Sequence, residues 1–487
     1  MPLLRRPDRH PDGSLARRTE VDALPLFSVM WALAAVWHLL GNPLYATAPA
    51  QLLLVVGAGA VLWRPGRVGP LVVLAVGGVI TMWSEAPVLG NHWLLVALVD
   101  LALLLAVAVG VARRRWSDPT DLADRFLPVA RLCLLGFYFF ASFAKLNSGF
   151  FDRSVSCATF YFDESTSSIG LDGLHSHGLA GVQWSIIVIT AAIELSIPWL
   201  LVFRRTRNVG VVVGLAFHTV LAIDRTHQFF DFSSVLAALF VLFLPPTFGV
   251  WVAERVGSAR ARLLLRDERA PTVVHLALVA VAVLAGLNVV FDSVTPHRAL
   301  VLGWTPWQVY AVGLLVAVVL YLRQRPAVPD PQALRVGHVV FLLLPLVVVA
   351  NGLTPYLELK TGYAWNMYAN LRTVDGETNH YLVPRTFPLT DVQADLVEIL
   401  DSDDPVLVAY GQADRVLPWM TLRSYLSDHP RTRLSYHRGN ATVSVAHAYE
   451  DPELVRPLPL WQEKLQLFRA VDDAPPEDCQ PTFGAAR

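Results

Sequence analysis

The sequence predicts an all-α polytopic membrane helix bundle with about 11 transmembrane helices, followed by a small extracytoplasmic α/β domain. Hydrophobic residues make up 54% of the 487 residues, charged residues only 16%, and the mean hydropathy is +0.45. Soluble domains carry about a quarter charged residues, so this chain lacks the polar surface to cover several water-facing cores. The same composition excludes intrinsic disorder, and a net charge of -1 gives no reason to expect nucleic acid, which requires a basic footprint.

Apolar runs of membrane-spanning length are the second observation. A helix needs about 20 predominantly apolar residues to cross about 30 Å of hydrocarbon. The runs of this kind lie at 22–41, 44–63, 68–84, 91–111, 126–147, 179–203, 208–223, 232–252, 272–291, 304–322 and 336–353. The runs 68–84 and 208–223 are short, and a re-entrant path at either would invert the orientation of every later loop.

Arginines predict the orientation, because positively charged short loops stay cytoplasmic. They precede the first run and recur in every second loop, at Arg17, Arg18, Arg64, Arg67, Arg113, Arg114, Arg115, Arg204, Arg205, Arg207, Arg255, Arg323 and Arg325. This alternation predicts a multi-pass protein of the cell inner (plasma) membrane. Residues 1–21 would then be cytoplasmic, 22–353 transmembrane and 354–487 extracytoplasmic.

Residues 354–487 are the third observation, because charged residues become frequent there and no run is long enough to cross a bilayer. Pro405 to Tyr410 has the pattern of a buried strand, and Trp419 to Leu426 that of a short helix. Arg433 to Ala448 predicts a hairpin that turns at Gly439 and Asn440. We therefore expect a small domain of mixed α/β structure.

Three cysteines are too few for a disulfide framework. The predicted topology nevertheless places Cys157 and Cys479 on the same oxidising side, where they either form a disulfide or remain as two free thiols. Cys133 lies inside a run and is most simply a small core residue.

Ionisable residues inside apolar runs are costly, so each is either a functional group or a structural partner within the bundle. Those singled out as candidates are His38, Asp100, Lys145, Glu194 and His218. Outside the runs, His175 and His177 have the spacing for a shared metal in an extended segment, but no cysteine or carboxylate in the sequence completes a ligand set. We expect no metal. P-loop, GxGxxG, HExxH, GxSxG and CxxC motifs are also missing from the sequence.

Lys145 is the most informative of these residues. The chain has 39 basic residues, and only Lys145, Lys360 and Lys464 are lysines. Burial disfavours an ammonium group and makes a neutral amine accessible as a base, whereas arginine stays protonated. A lysine among the aromatic residues of the fifth run therefore indicates a titratable amine. The alternative is a lysine whose ammonium group reaches the membrane interface.

His92 follows Asn91 at the outer end of the fourth run, and this predicted position has the same membrane depth as Lys145. Two titratable groups at one depth can line one cavity, where histidine supplies a hydrogen bond or a proton near neutral pH. The alternative is a capping or interfacial histidine.

Several segments carry a family resemblance. Residues 137–152, FYFFASFAKLNSGFFD, resemble the lysine-bearing helix of the vitamin K-dependent gamma-carboxylases and of the related bacterial horizontally transferred transmembrane family. Asn91-His92 resembles the Asn-His element of that family. The segments 194–207, 217–218 and 232–245 are similar to the helices that follow. The resemblance covers roughly residues 22–250, so 272–353 would be additional helices, and 351–380 resembles a stretch found after the last helix in bacterial relatives.

The resemblance implies a mechanism. In the carboxylases a lysine deprotonates a reduced naphthoquinone, oxygen adds, and the strongly basic product removes a γ-proton from a glutamate side chain. That glutamate captures carbon dioxide while the quinone leaves as an epoxide. Carried over to this sequence, Lys145 would be the base and His92 its neighbour at the reacting centre. The expected groups around the quinol are Asn91, Phe143, Asn147, Glu194 and His218.

The sequence thus predicts a membrane enzyme in the lipid bilayer that uses a lipid-soluble quinol such as menaquinol, with oxygen and carbon dioxide as co-substrates. A glutamate-containing peptide or protein would be the carboxyl acceptor. The alternative is a quinone- or lipid-binding or transport protein without covalent chemistry. A third interpretation makes the helices an anchor for residues 354–487.

Overall fold

The computed structural model describes residues 20–41, 48–263, 303–324 and 332–479. Most of these residues are helical. The α-helices of the membrane-like part are α1 (Leu24–Gly41), α2 (Ala48–Trp63), α3 (Val68–Glu85), α4 (Asn91–Ala112), α5 (Pro119–Phe143), α6 (Cys157–Ser168), α7 (Ala180–Val202), α8 (Arg207–Leu221), α9 (Phe229–Val241), α10 (Thr247–Leu263), α11 (Thr305–Gln324) and α12 (Leu343–Leu353).

Six helices in the described ranges are long and apolar enough to cross a membrane. They are α1, α3, α4, α5, α7 and α11. Three more predicted runs, at 44–63, 208–223 and 336–353, contain shorter apolar helices. The run 272–291 lies outside the described residues. The chain therefore has the helices of a membrane protein, and the predicted count of eleven spans is not confirmed.

The predicted span 232–252 is wrong as a single helix. The structure has α9 ending at Val241 and α10 beginning at Thr247, with turns between them. Pro245 and Pro246 explain the break, because proline has no backbone N–H and its ring clashes with the carbonyl of the preceding turn.

The chain forms two compact units whose segments alternate along the sequence. The first unit takes Met1–Ser84, Leu95–Leu135 and Ser196–Leu346, and the second takes Glu85–Leu94, Gly136–Leu195 and Val347–Arg487. The sequence predicts a domain boundary after residue 353. In the structure, residues 347–487 belong to one compact unit with residues 85–94 and 136–195.

Within the second unit, the C-terminal residues form a five-stranded antiparallel sheet. Its order is β6 (Ala441–Val445), β5 (Leu434–Arg438), β3 (Leu396–Ser402), β4 (Arg415–Pro418) and β7 (Val471–Asp472). A short hairpin, β1 (Thr373–Val374) and β2 (Glu377–Thr378), precedes it. Helices α13 (Pro405–Gln412) and α14 (Trp419–Asp428) share its apolar core, and α15 (Leu460–Leu465) follows. The mixed α/β character, the hairpin turning at Gly439 and Asn440, and the helix at Trp419 are confirmed.

The predicted strand from Pro405 to Tyr410 is wrong, because these residues form α13. The carboxylate of Asp404 accepts hydrogen bonds from the backbone N–H groups of Val406 and Leu407, which caps the helix. Proline at the first helical position costs nothing, since that N–H has no partner inside a helix. The capping residue and the proline outweigh the β-branched composition of the segment.

Candidate functional site around Lys145

Lys145 lies just beyond the end of α5, in the second unit. The predicted run continued to residue 147, but the helix ends at Phe143 and a turn follows. Side chains from this turn donate to carbonyl groups in the last turn of the helix and just beyond it. Lys145 Nζ donates to Ala141 O at 3.2 Å, and Asn147 Nδ2 donates to Ala144 O at 2.7 Å. A cation is favourable here, because a helix C-terminus carries partial negative charge.

The Lys145 ammonium group forms a buried ion pair with Glu194 of α7. Nζ lies 2.8 Å from Glu194 Oε2, and Lys145 is only 6% exposed. A third acceptor is Met367 O, at 3.3 Å from Nζ. The three acceptors match the three N–H donors of an ammonium group. A buried ion pair of this kind needs further hydrogen bonds to be stable, and the Lys145 ammonium group has two of them, to Ala141 O and Met367 O.

One C-terminal segment, residues 363–370, meets three of the residues that the sequence singled out. Trp365 N donates to Asn91 Oδ1 at 2.9 Å, and Met367 O accepts from Lys145. Ala369 O accepts from Asn147 Nδ2 at 2.5 Å. The start of α4 and the turn after α5 are therefore joined through the backbone of this segment.

The 363–370 segment has an unusual backbone. Tyr363, Trp365, Tyr368 and Asn370 have positive φ angles of 35°, 58°, 51° and 51°. Such angles are uncommon for residues other than glycine and cost of order 1–3 kcal/mol each, so they persist only where surrounding contacts impose them. Backbone of this kind concentrates at functional sites, because it directs carbonyl and amide groups in ways that regular structure does not.

Aromatic side chains surround the end of α5. The Phe143 ring lies 4.4 Å from the His380 ring and 5.9 Å from the Tyr356 ring, between centroids. Lys145 Nζ lies 6.0 Å from the centroid of the Phe150 ring. The lysine amine is therefore bordered by apolar surface, which excludes water and strengthens its electrostatic interactions.

His380 connects the C-terminal residues to the end of α5 through a hydrogen bond to Phe143. Its Nδ1 accepts from the N–H groups of Leu382 and Val383, so its Nε2 carries the proton and donates to Phe143 O at 2.9 Å. Burial lowers the pKa of His380, and the hydrogen bond to Phe143 opposes that shift in part. The imidazole is therefore a neutral, structural hydrogen-bonding group at neutral pH.

Two buried polar atoms in this region have no hydrogen-bond partner among the described residues. They are Asn91 Nδ2 and the Tyr356 hydroxyl. Asn91 is 1% exposed, and its amide orientation follows from the bond that its Oδ1 accepts from Trp365 N. A buried donor without a partner costs about 1–3 kcal/mol, which an oxygen atom of a ligand would recover. Asn91 therefore offers a fixed donor for a carbonyl or hydroxyl oxygen.

All three lysines of the chain belong to the second unit, and two of them contact Tyr363. Lys360 Nζ lies 4.0 Å from the centroid of the Tyr363 ring, and Tyr363 Oη donates to Lys464 O at 2.7 Å. Lys464 Nζ donates to Ala86 O, at 2.5 Å. Burial lowers the pKa of Lys360 to about 7. The few lysines of the sequence are therefore all found in the second unit.

Cys157 and Cys479 form a disulfide within the second unit. Asn370, at the end of the 363–370 segment, lies beside it. Asn370 Oδ1 accepts from Cys157 N at 3.0 Å, and its Nδ2 donates to Val155 O and to Glu477 O. The disulfide therefore holds the C-terminal residues 477–479 against the segment that contacts Lys145.

The remaining candidates from the sequence have other surroundings. His92 is half-buried in the first turn of α4, and among the described residues it is not one of the groups that contact the Lys145 amine. His38, Asp100 and His218 belong to the first unit. There His38 Nδ1 lies 2.9 Å from Asp231, Asp100 accepts from Trp31 Nε1, and Ser233 Oγ donates to His218 O.

The histidines at 175 and 177 do have a carboxylate nearby, which the sequence did not reveal. Asp163 of α6 lies 3.3 Å from His177 Nδ1 and 3.9 Å from His175 Nδ1. Asp163 also accepts from the N–H and hydroxyl of Ser176, and His177 is largely exposed. These hydrogen bonds connect the loop at residues 175–177 to α6. Both carboxylate oxygens of Asp163 already accept from Ser176.

Sequence reasoning named Lys145 and Glu194 separately and missed their pairing. A buried ammonium group requires a carboxylate, so the rarity of acidic residues in the apolar runs was a usable signal. It also missed the 363–370 segment. This segment contacts Asn91, Lys145 and Asn147, from which it is more than 200 residues away in the sequence.

Comparison of the chain with family models, curated proteins and solved structures gave no match.

Proposed function

We propose that this protein is a membrane enzyme resembling the vitamin K-dependent gamma-carboxylases, in which Lys145 is the general base toward a reduced naphthoquinone such as menaquinol. The bound quinol supplies an acidic hydroxyl group and the electrons for reaction with oxygen. Carbon dioxide and a glutamate-containing peptide or protein are the further substrates of a coupled carboxylation. The positions of the arginines support an N-terminus in the cytoplasm of a cell and a site on the outer side of its plasma membrane.

The observation that carries the proposal is the Lys145–Glu194 pair. Transfer of one proton from Nζ to Glu194 Oε2, across 2.8 Å, converts two buried charges into two neutral groups. The neutral amine keeps two N–H donors, which match the carbonyl groups of Ala141 and Met367. Its lone pair then faces Glu194 Oε2, so Glu194 must turn away before the amine accepts a proton from a quinol. Glu194 is therefore suited to set the protonation state of Lys145 and to carry its proton away.

The residues present fit a quinol. Asn91 Nδ2 is a buried donor without a partner in the described part of the chain, which suits a quinone or quinol oxygen. Asn91 and Lys145 bond to Trp365 and Met367, two positions apart on the 363–370 segment. The rings of Phe143 and Phe150 provide apolar surface for a naphthalene ring system.

Epoxide formation tests the proposal. Purified protein in lipid nanodiscs is incubated with menaquinol and oxygen, and the quinone products are separated by chromatography and identified by mass spectrometry. We expect the wild type to form the epoxide and Lys145→Ala to form none. Lys464→Ala serves as the matched control, because it removes a lysine of the same unit whose amine bonds to Ala86 O rather than to Glu194. Equal epoxide yields for wild type and Lys145→Ala would refute the catalytic role.

One observation favours a second candidate, a quinone- or lipid-binding protein without covalent chemistry. Every N–H of the Lys145 ammonium group has an acceptor, which is also the arrangement expected of a lysine that only holds the fold together. This function predicts that the wild type binds menaquinol in nanodiscs but releases it without oxidised product.

A further inference from the structure

Apolar side chains are exposed in the C-terminal part of the second unit, outside the long apolar helices. We call residues 381–389 the apolar loop. Tyr381, Leu382, Phe387 and Leu389 in this loop are 58%, 66%, 70% and 54% exposed. Water-facing surfaces rarely keep contiguous apolar patches of this kind, and such patches mark sites of protein or membrane interaction.

Backbone hydrogen bonds fix the apolar loop at the ends of two apolar helices. Tyr381 N donates to Leu146 O at 2.8 Å, three residues beyond the end of α5. Phe387 N donates to Tyr356 O at 2.8 Å, three residues beyond the end of α12. The position of the loop is therefore fixed by backbone hydrogen bonds, and its exposed side chains lie near the ends of these two helices.

A second exposed apolar surface lies on α15. Leu460, Trp461 and Leu465 are 59%, 57% and 42% exposed. Lys464 of the same helix donates to Ala86 O, in the connection between α3 and α4. This surface is therefore also held at the end of membrane-length helices.

We propose that the apolar loop and α15 insert into the interfacial region of the lipid bilayer. Continuity of the apolar surface supports lipid as the occupant, because the exposed side chains of Val347, Val349 and Leu353 on α12 lead to the same helix end as the loop. Tyrosine and tryptophan are typical of membrane interfaces, where an aromatic ring meets both tails and headgroups. The exposed Arg385 in the loop suits a lipid phosphate.

If these surfaces insert into lipid, residues 354–487 lie against the bilayer surface and do not form a domain that is surrounded by water. This inference goes beyond the proposed function and uses neither Lys145 nor Glu194. It requires only that the long apolar helices span the bilayer.

Site-specific fluorescence tests the inference in the full chain. Leu382→Cys, Phe387→Cys and Trp461→Cys are each labelled with an environment-sensitive NBD probe, and the protein is placed in phosphatidylcholine–phosphatidylglycerol nanodiscs. Tyr449→Cys is the matched control, because Tyr449 is a 52% exposed aromatic residue of the same unit outside both surfaces. The unsubstituted chain, whose remaining free cysteine Cys133 is buried, measures background labelling.

We expect the probes at 382, 387 and 461 to emit at shorter wavelength than the control, to lose fluorescence to nitroxide-labelled lipids, and to be protected from iodide. The control probe should be quenched by iodide and not by the lipids. Iodide quenching at 382 and 387 that equals the control, without lipid quenching, would overturn the proposal. Protection that appears only with two copies of the chain per nanodisc would also overturn it, since it would assign the surface to a second copy.

Discussion

At the residue scale, the Lys145–Glu194 pair is the feature on which the stability predictions and the proposed chemistry both rest. Each member compensates the charge of the other in a place where neither would be stable alone, with Lys145 only 6% exposed. Removing one partner leaves a buried charge, whereas removing both leaves no charge. The pair therefore gives a prediction that distinguishes an ion pair from two independent side chains.

We expect Glu194→Leu to lower the free energy of unfolding by about 3–5 kcal/mol, because it leaves the Lys145 ammonium group without its carboxylate. The double variant Lys145→Met with Glu194→Leu should be more stable than Glu194→Leu alone. Thermal unfolding in one detergent, followed by tryptophan fluorescence, measures both. Equal melting temperatures for the single and double variants would show that the two side chains are not coupled.

Lys360 gives a pH prediction. Its pKa is about 7 in the folded protein, because burial disfavours the ammonium form, whereas an unfolded lysine titrates near 10.5. Between these values the unfolded chain binds more protons, so the contribution of Lys360 to stability rises with pH from about 7 to about 10.5. We expect Lys360→Met to lack this rise.

The comparison is made by thermal unfolding of wild type and Lys360→Met at several pH values between 7 and 10. The difference in melting temperature should favour the variant near pH 7 and shrink toward pH 10. A difference that is constant with pH would mean that Lys360 does not change its protonation between the two states. Lys464→Met is the matched control.

At the scale of elements, the turn after α5 depends on Asn147. Its Nδ2 donates to Ala144 O and Ala369 O, and its Oδ1 accepts from Phe150 N at 2.8 Å. Asn147→Ala would leave these groups without their partner, at a cost of about 1–3 kcal/mol for each one that stays buried and unpaired. We expect a lower melting temperature and faster amide exchange in residues 144–150.

Hydrogen exchange read by mass spectrometry checks this prediction. Thr442→Ala, at an exposed position of β6, is the control and should leave the exchange of this turn unchanged. Unaltered exchange at 144–150 in Asn147→Ala would mean that the turn is held by other contacts.

Sequence reasoning succeeded where local pattern decides an element. Apolar length identified α1, α3, α4, α5, α7 and α11, and the Gly439-Asn440 pair identified the hairpin. It failed where capping or proline decided the outcome. Asp404 and Pro405 converted an apparent strand into α13, and Pro245 with Pro246 divided an apparent span. These residues act through specific hydrogen bonds, which an average over an apolar run does not contain.

At the scale of the whole molecule, the second unit is assembled from three distant parts of the sequence. The hydrogen bonds from Lys145 and Asn147 to Met367 and Ala369 each join residues 222 positions apart. Composition showed that residues 354–487 differ from the membrane part, but it contains no signal for such pairing. The segments 137–152 and 351–380 were singled out separately from the sequence, and the structure brings residues of both together.

This assembly predicts the behaviour of residues 354–487 expressed alone. The sheet should persist, because its apolar core, which includes Val397, Leu407, Leu422 and Tyr436, lies within the fragment. The 363–370 segment should lose its order, since its partners Asn91, Lys145 and Asn147 are missing from the fragment. Amide exchange measured by mass spectrometry separates the two regions, and equal protection of 363–370 in fragment and full chain would contradict the prediction.

The central claim is that Lys145 acts as an amine that gives up and takes a proton. The most direct test is the rate of menaquinol epoxidation by Lys145→Arg, measured with menaquinol binding in the same nanodiscs. Arginine keeps the positive charge opposite Glu194 but stays protonated, so it cannot act as a base. We predict that the arginine variant binds menaquinol and forms no epoxide. Epoxide formation by Lys145→Arg at the wild-type rate would contradict the claim.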